Sequence, residues 1–169
     1  MTMKHSPGRT GQGATVRLYK LTDANGRTHN NTQWGKGVSH SGTGEGPLCG
    51  PGWIHAYTHP LLAVLLNPIH ADFANPLLWE AEGVVAIRDN DFKVGCLTLT
   101  TVRRVPLPAV STEQRVKFAI LCAKEVCENA AWNAWADAWL SEENRSTDAA
   151  ARAAAAAMSA ADAAAMSAR

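Results

Sequence analysis

The alternation of apolar and polar positions marks out the elements of this chain. Val16-Arg-Leu-Tyr-Lys-Leu alternates with a period of two. It predicts a strand with Val16, Leu18 and Lys20 on one face and Arg17, Tyr19 and Leu21 on the other. From Thr22 to Pro47 small polar residues dominate and Trp34 is the one large apolar residue, so a long loop is expected, with room for a short strand around Thr32-Gln-Trp-Gly. The Gly50-Pro51-Gly52 turn launches a strand through His59. Pro60 then suits the first turn of a helix that buries Leu61, Leu62, Val64, Leu65 and Leu66 and ends before Pro68. Leu77 to Glu82, Val84 to Arg88 and the β-branched run from Phe92 to Val105 read as strands. The Asp89-Asn90-Asp91 cluster makes a hairpin of the last two, with Gly95 a place for a bulge.

Ser111-Thr-Glu-Gln has the form of a capping box and opens a helix expected to run to about Leu140. One stripe holds Val116, Ala119, Ile120, Ala123, Val126, Cys127, Ala130 and Ala134; a second holds Leu121, Trp132, Trp135 and Trp139. A helix with two apolar stripes needs two partners. The second is expected to be the alanine-rich tail, capped by Ser146 or Thr147, folding back as an antiparallel hairpin. Its repeated Ala-Ala-Met-Ser-Ala and the three tryptophans suggest a spacer or an oligomer seam. The expected organisation is a flexible N-terminus over 1–15, an α+β domain over 16–140 that includes the long helix, and the alanine-rich helical tail over 141–169.

Composition narrows the class. Charged residues are 18% of the chain and the formal net charge is +1, so the electrostatic footprint of a nucleic-acid or anionic-lipid binder is missing. The longest aliphatic run, Leu61 to Leu66, is too short to cross a bilayer, and the first residues lack the apolar core of a signal peptide. The cysteines at 49, 96, 122 and 127 show no paired spacing and read as reduced thiols, which places the protein in the cytoplasm.

The most unusual local feature is Trp53-Ile-His-Ala-Tyr-Thr-His. As a strand it puts Trp53, His55, Tyr57 and His59 on one face, a poor core but a reasonable floor for a pocket. The alternative is that Trp53 and Tyr57 cover a core edge with the histidines at its rim. Cys49, His55, His59 and His70 are candidate zinc ligands, although His-x3-His on a strand is not the helical arrangement of a zinc finger and no Cys-x2-Cys accompanies it. Glu80 and Glu82, two apart, share a strand face and could orient a ribose or act as a base. A Cys49–His nucleophile pair has no base that spacing alone can place beside it.

The Gly52-Trp53-Ile54-His55 step, after Leu48-Cys49-Gly50, resembles the Gly-Phe-Ile-His motif of a small bacterial family of ADP-ribosyltransferase-like fold. From Val16 to Val126 the pattern is similar to an uncharacterised phage and bacterial domain family with a Cys-x-x-Gly-aromatic-x-His segment and alanine-rich tails. The resemblance implies an α+β fold with a mostly antiparallel split sheet, a nucleotide cleft and a C-terminal helical hairpin. It implies NAD as the cofactor, Arg17 or Tyr19 handling it from the first strand, His55 and Tyr57 from a middle one, and Glu80 or Glu82 as the carboxylate. Tyr19, Trp53, His55 and Tyr57 would line the cofactor site. Arg17-Leu18-Tyr19 lacks the following Gly-Thr or Gly-Ser step, so the catalytic set is incomplete. The leading expectation is therefore an accessory protein of a phage or mobile element that needs no cofactor. It would bind a host protein, as in counter-defence, with Trp132, Trp135 and Trp139 at an interface or homo-oligomer seam. The alternatives are an NAD-dependent transferase or NAD-binding protein and, more weakly, a zinc-stabilised domain.

Overall fold

The computed structural model describes residues 13–89, 93–149 and 152. The N-terminal segment 1–12, the Asn90-Asp91 turn and most of the alanine-rich tail, with its hairpin, lie outside the described residues. The chain divides into two compact units, with the boundary between Val110 and Ser111. The long-helix region expected to belong to the α+β domain thus falls in the second unit.

The first unit is α+β and mostly antiparallel. Strand β1 (Thr15–Thr22) is followed by the small pair β2 (Arg27–Thr28) and β3 (Thr32–Gln33), and then by β4 (Ser39–Ser41) and β5 (Ile54–Ala56). Helices α1 (Pro60–Leu65) and α2 (Asn67–His70) lead to the long strands β6 (Leu77–Asp89) and β7 (Lys93–Val105). The sheet runs β1-β6-β7-β4, and β5 also pairs with β7. The expected hairpin is the β6–β7 pair, and the two strands read between Leu77 and Arg88 are one. Its register shifts three times, leaving Leu97 and Val102 as extra residues on β7 and Ala86 on β6. Such bulges bend a long ribbon. The sheet accordingly curls until the end of β5 meets β1, where Tyr19 and Tyr57 exchange both backbone hydrogen bonds at 2.8 Å.

Inside this curl lies the core: Leu18, Ala56, Ala81, Val94, Cys96, Leu99 and the indole of Trp34. The alternation read for β1 places Leu18 inward, and Lys20 follows it on the same face, 9% exposed. The expected strand through His59 stops at Ala56. His59 is the N-cap of α1 instead, its Nδ1 accepting from the Leu61 N–H at 3.2 Å while Pro60 takes the first turn.

In the second unit, helix α3 (Thr112–Lys124) opens with the expected capping box between Ser111 and Gln114. The single helix to Leu140 is broken. Helix α4 (Ala130–Leu140) begins afresh at Asn129, whose side chain accepts from the Trp132 N–H at 2.9 Å. Asn133 reaches back to the Cys127 carbonyl at 2.8 Å, so local side-chain capping outcompetes continuation here. A new helical turn starts at 147–149, and Ser146 Oγ accepts from the Ala149 N–H at 3.3 Å. Among the described residues no helix is long and apolar enough to cross a membrane.

Candidate functional site

A cavity of about 440 Å³ opens in the first unit between β1, the β2–β3 loop, β5 and the α2 region. Glycine makes the approach of its walls possible. A Cβ at Gly95 would stand 2.9 Å from Leu48 and 3.1 Å from the Trp53 Cβ, and one at Gly52 only 2.0 Å from the Glu45 carbonyl oxygen. The Leu48–Trp53 loop can therefore lie directly on β7. Trp53 is held by its indole N–H, which donates to the Gly46 carbonyl at 2.9 Å.

Two lysines line the cavity although both are buried, Lys20 at 9% exposed and Lys93 at 7%. The Lys20 ammonium donates to the His55 carbonyl at 2.7 Å and sits 5.0 Å from the centre of the Trp34 ring, a cation–π arrangement. Lys93 donates to Cys49 Sγ at 3.2 Å. Among the described residues neither has a carboxylate partner, and no Asp or Glu lines the cavity. Burial lowers the Lys20 ammonium to about 8, against a smaller opposing pull from Cys96.

The remaining walls are rings. His55 bonds through Nε2 to the Leu48 carbonyl. Burial pushes it below the ordinary imidazole range; that hydrogen bond opposes the shift, while Lys93, Lys20 and His29 add to it. The Tyr57 hydroxyl meets His70 Nδ1 at 3.2 Å, and the two rings stack with centroids 5.9 Å apart. Burial raises Tyr57 to about 12 and lowers His70, with Lys93 adding to the fall in His70 and Asp89 opposing it. Asn67 brackets Phe73 through both its backbone N–H (3.1 Å) and carbonyl (2.9 Å), which sets that ring 5.9 Å from His29 on the far wall.

The structure thus brings Trp53, His55 and Tyr57 to one cavity, together with Cys49 and His70, and leaves His59 out of it. Cys49, His55, His59 and His70 each engage a different partner, and among the described residues no group of three or more His, Cys, Asp or Glu could hold a metal. Arg17, Tyr19, Glu80 and Glu82 line none of the cavity. In register Arg17 faces Glu82 and Tyr19 faces Glu80, on the side of β1 opposite Leu18 and Lys20. There Glu80 pairs with Arg103 and lies 3.9 Å from Arg17. The two pairs of residues assigned from the resemblance to opposite ends of one site form a surface ion patch instead.

In the second unit the Trp132 and Trp135 rings lie 5.8 Å apart and Arg145 covers Trp139 at 4.5 Å.

The residues that sequence reasoning missed are Lys20, Lys93, Trp34, His29 and Phe73. One signal was available: Lys20 occupies the inward phase of an alternating strand, where a charge is out of place. No protein-family model, curated protein or solved structure matches the chain.

Proposed function

We propose that the first unit is a binding module for a small anion carrying a flat ring, of the nucleotide class, with NAD among the ligands to test. The carrying observation is the pair of buried lysines on an aromatic wall without a carboxylate. Two desolvated cations offer a phosphate strong charge-assisted hydrogen bonds. The faces of Trp34, Trp53 and Phe73 offer a ring a stacking surface. An ADP-ribosyltransferase-like cleft is the architecture that would suit such a ligand. The absence of a carboxylate from the wall, among the described residues, favours binding over glycosyl transfer, because a developing oxocarbenium ion needs a nearby anion. The test is calorimetric titration with AMP, ADP-ribose and NAD against adenosine. AMP is expected to bind at least about tenfold more tightly than adenosine, and Lys93→Ala to lose about that much. Equal binding of adenosine and AMP, or no heat from any nucleotide, overturns the reading.

A second reading concerns the helical unit. Val116, Leu121 and Val126 are exposed, Val126 at 82%. We infer that this face and the tryptophans of α4 dock a protein partner: a host protein if the chain is carried by a phage or mobile element, or a second copy with the tail as a helical hairpin. Light scattering on the full chain and on a chain lacking 141–169 tests self-association; an unchanged monomer mass in both removes the homo-oligomer.

A further inference from the structure

We propose that Lys20 is a nucleophile that captures a small anionic aldehyde or 2-oxo acid as an imine, with Lys93 holding the anionic end. The proposal uses the anion-binding reading only to choose the carbonyl compound.

The argument begins with what surrounds the amine. Lys20 lines the cavity from the middle of β1, is almost wholly buried, and has no carboxylate partner among the described residues. An ammonium in that setting is poorly solvated, and loss of its proton relieves the cost. Its one hydrogen bond, to the His55 carbonyl at 2.7 Å, accepts an N–H and leaves the lone pair of the neutral amine uncommitted. Burial lowers the group to about 8, so an appreciable share is neutral near pH 7.5, where an ordinary lysine is almost entirely charged. Lysines made nucleophilic by desolvation in an apolar pocket form Schiff bases with carbonyl substrates.

The chemistry balances without a redox partner. The Lys20 lone pair forms a bond to the carbonyl carbon, and the carbon–oxygen π pair moves to oxygen, which takes up a proton to give a carbinolamine. The nitrogen then loses its remaining proton and the carbon its hydroxyl. Amine and carbonyl become imine and water. His55, Tyr57 and His70 line the same cavity and supply groups able to carry these protons. The second lysine makes the site selective. Lys93, 7% exposed, presents a cation to a carboxylate or phosphate on the carbonyl compound, so the reactive carbon is delivered beside a different amine.

The experiment is reductive trapping. The full chain is incubated with glyoxylate and sodium cyanoborohydride at pH 7.5, and each lysine's share of the carboxymethyl product is read by peptide mapping. Lys36 and Lys117 are exposed and serve as internal references. Lys20 is expected to be labelled at least about tenfold faster than either, and excess AMP to slow it. In Lys20→Met the added mass should fall to the level of the exposed sites. Because the comparison is made within the wild-type chain, it holds even if that variant folds poorly. Labelling of Lys20 no faster than Lys36 and Lys117, or of Lys93 in its place, overturns the proposal. If AMP gives heat but Lys20 is not trapped, the cavity binds anions without covalent capture; if Lys20 is trapped but no nucleotide binds, the nucleotide reading falls and the imine stands.

Discussion

The ammonium of Lys20 donates to the carbonyl oxygen of His55 at 2.7 Å, joining the inward face of β1 to the middle of β5 beneath the Trp34 ring. A lowering from 10.5 to about 8 corresponds to a cost on the order of 3 kcal/mol for keeping that ammonium charged in the fold. A hydrogen bond lost on substitution offsets about 1 kcal/mol of it. Lys20→Met is therefore expected to stabilise the first unit by about 2 kcal/mol at pH 7 in urea denaturation. The gain should vanish above pH 10.5, where lysine is neutral in both states. A loss of stability at pH 7 would show that the ammonium is a structural tie.

Acid should unfold the first unit through its histidines. His55 and His70 are depressed, so the unfolded chain binds more protons below the ordinary value of 6.5. Their contribution is present above 6.5 and is lost as pH falls towards their folded values. Thermal melts between pH 7.5 and 5 should show this decline, and His70→Asn should flatten part of it.

The alkaline side carries opposing contributions. Lys20 favours the fold increasingly from about pH 8 to 10.5, because the unfolded chain holds the extra proton there. Cys96, raised by burial from 9.0 to about 11, and Tyr57, raised from 10.0 to about 12, do the reverse. Stability is thus expected to change little up to about pH 10 and then to fall. Tyr57→Phe should postpone that fall, as followed by circular dichroism.

Gly52→Ala tests the close approach of the Leu48–Trp53 loop. The new methyl group would lie 2.0 Å from the Glu45 carbonyl oxygen, a backbone atom, so the loop must move. A destabilisation of about 1–3 kcal/mol is expected, with weaker nucleotide binding as Trp53 shifts. Unchanged stability and affinity would show that the loop does not define the cavity.

In the second unit the Trp135 indole N–H is buried and has no acceptor among the described residues. Trp135→Phe should then be neutral or stabilising by up to about 1 kcal/mol in chemical denaturation. A cost above about 2 kcal/mol would mean that another part of the chain, or a second copy, accepts that hydrogen.

Features carried by local chemistry were legible in the sequence. Ser111 and Gln114 announce their capping box three residues apart, Pro60 fixes the first turn of α1, and the apolar alternation of Leu77–Asp89 and Lys93–Val105 gives the hairpin. Side-chain caps decided the misreadings: His59 ends the extended segment early, and Asn129 breaks a helix whose apolar stripes run on. The cavity was half visible. Trp53, His55 and Tyr57 are adjacent in the chain and were found together. Lys20 and Lys93 are 73 residues apart and are brought together by β1, β6 and β7, a relation that spacing does not carry. The carboxylates Glu80 and Glu82 were assigned by motif order, but strand register sends them to the other face.

The reciprocal amide pairing of Tyr19 with Tyr57 leaves the segment that floors the cavity fastened at both margins, to β7 on one side and β1 on the other. Such a clasp resists solvent isotope exchange until the curled ribbon itself springs apart. A guest would then have to enter past the hairpin loop around Asn30 and the Phe73 rim, and the floor would stay rigid while the mouth breathes.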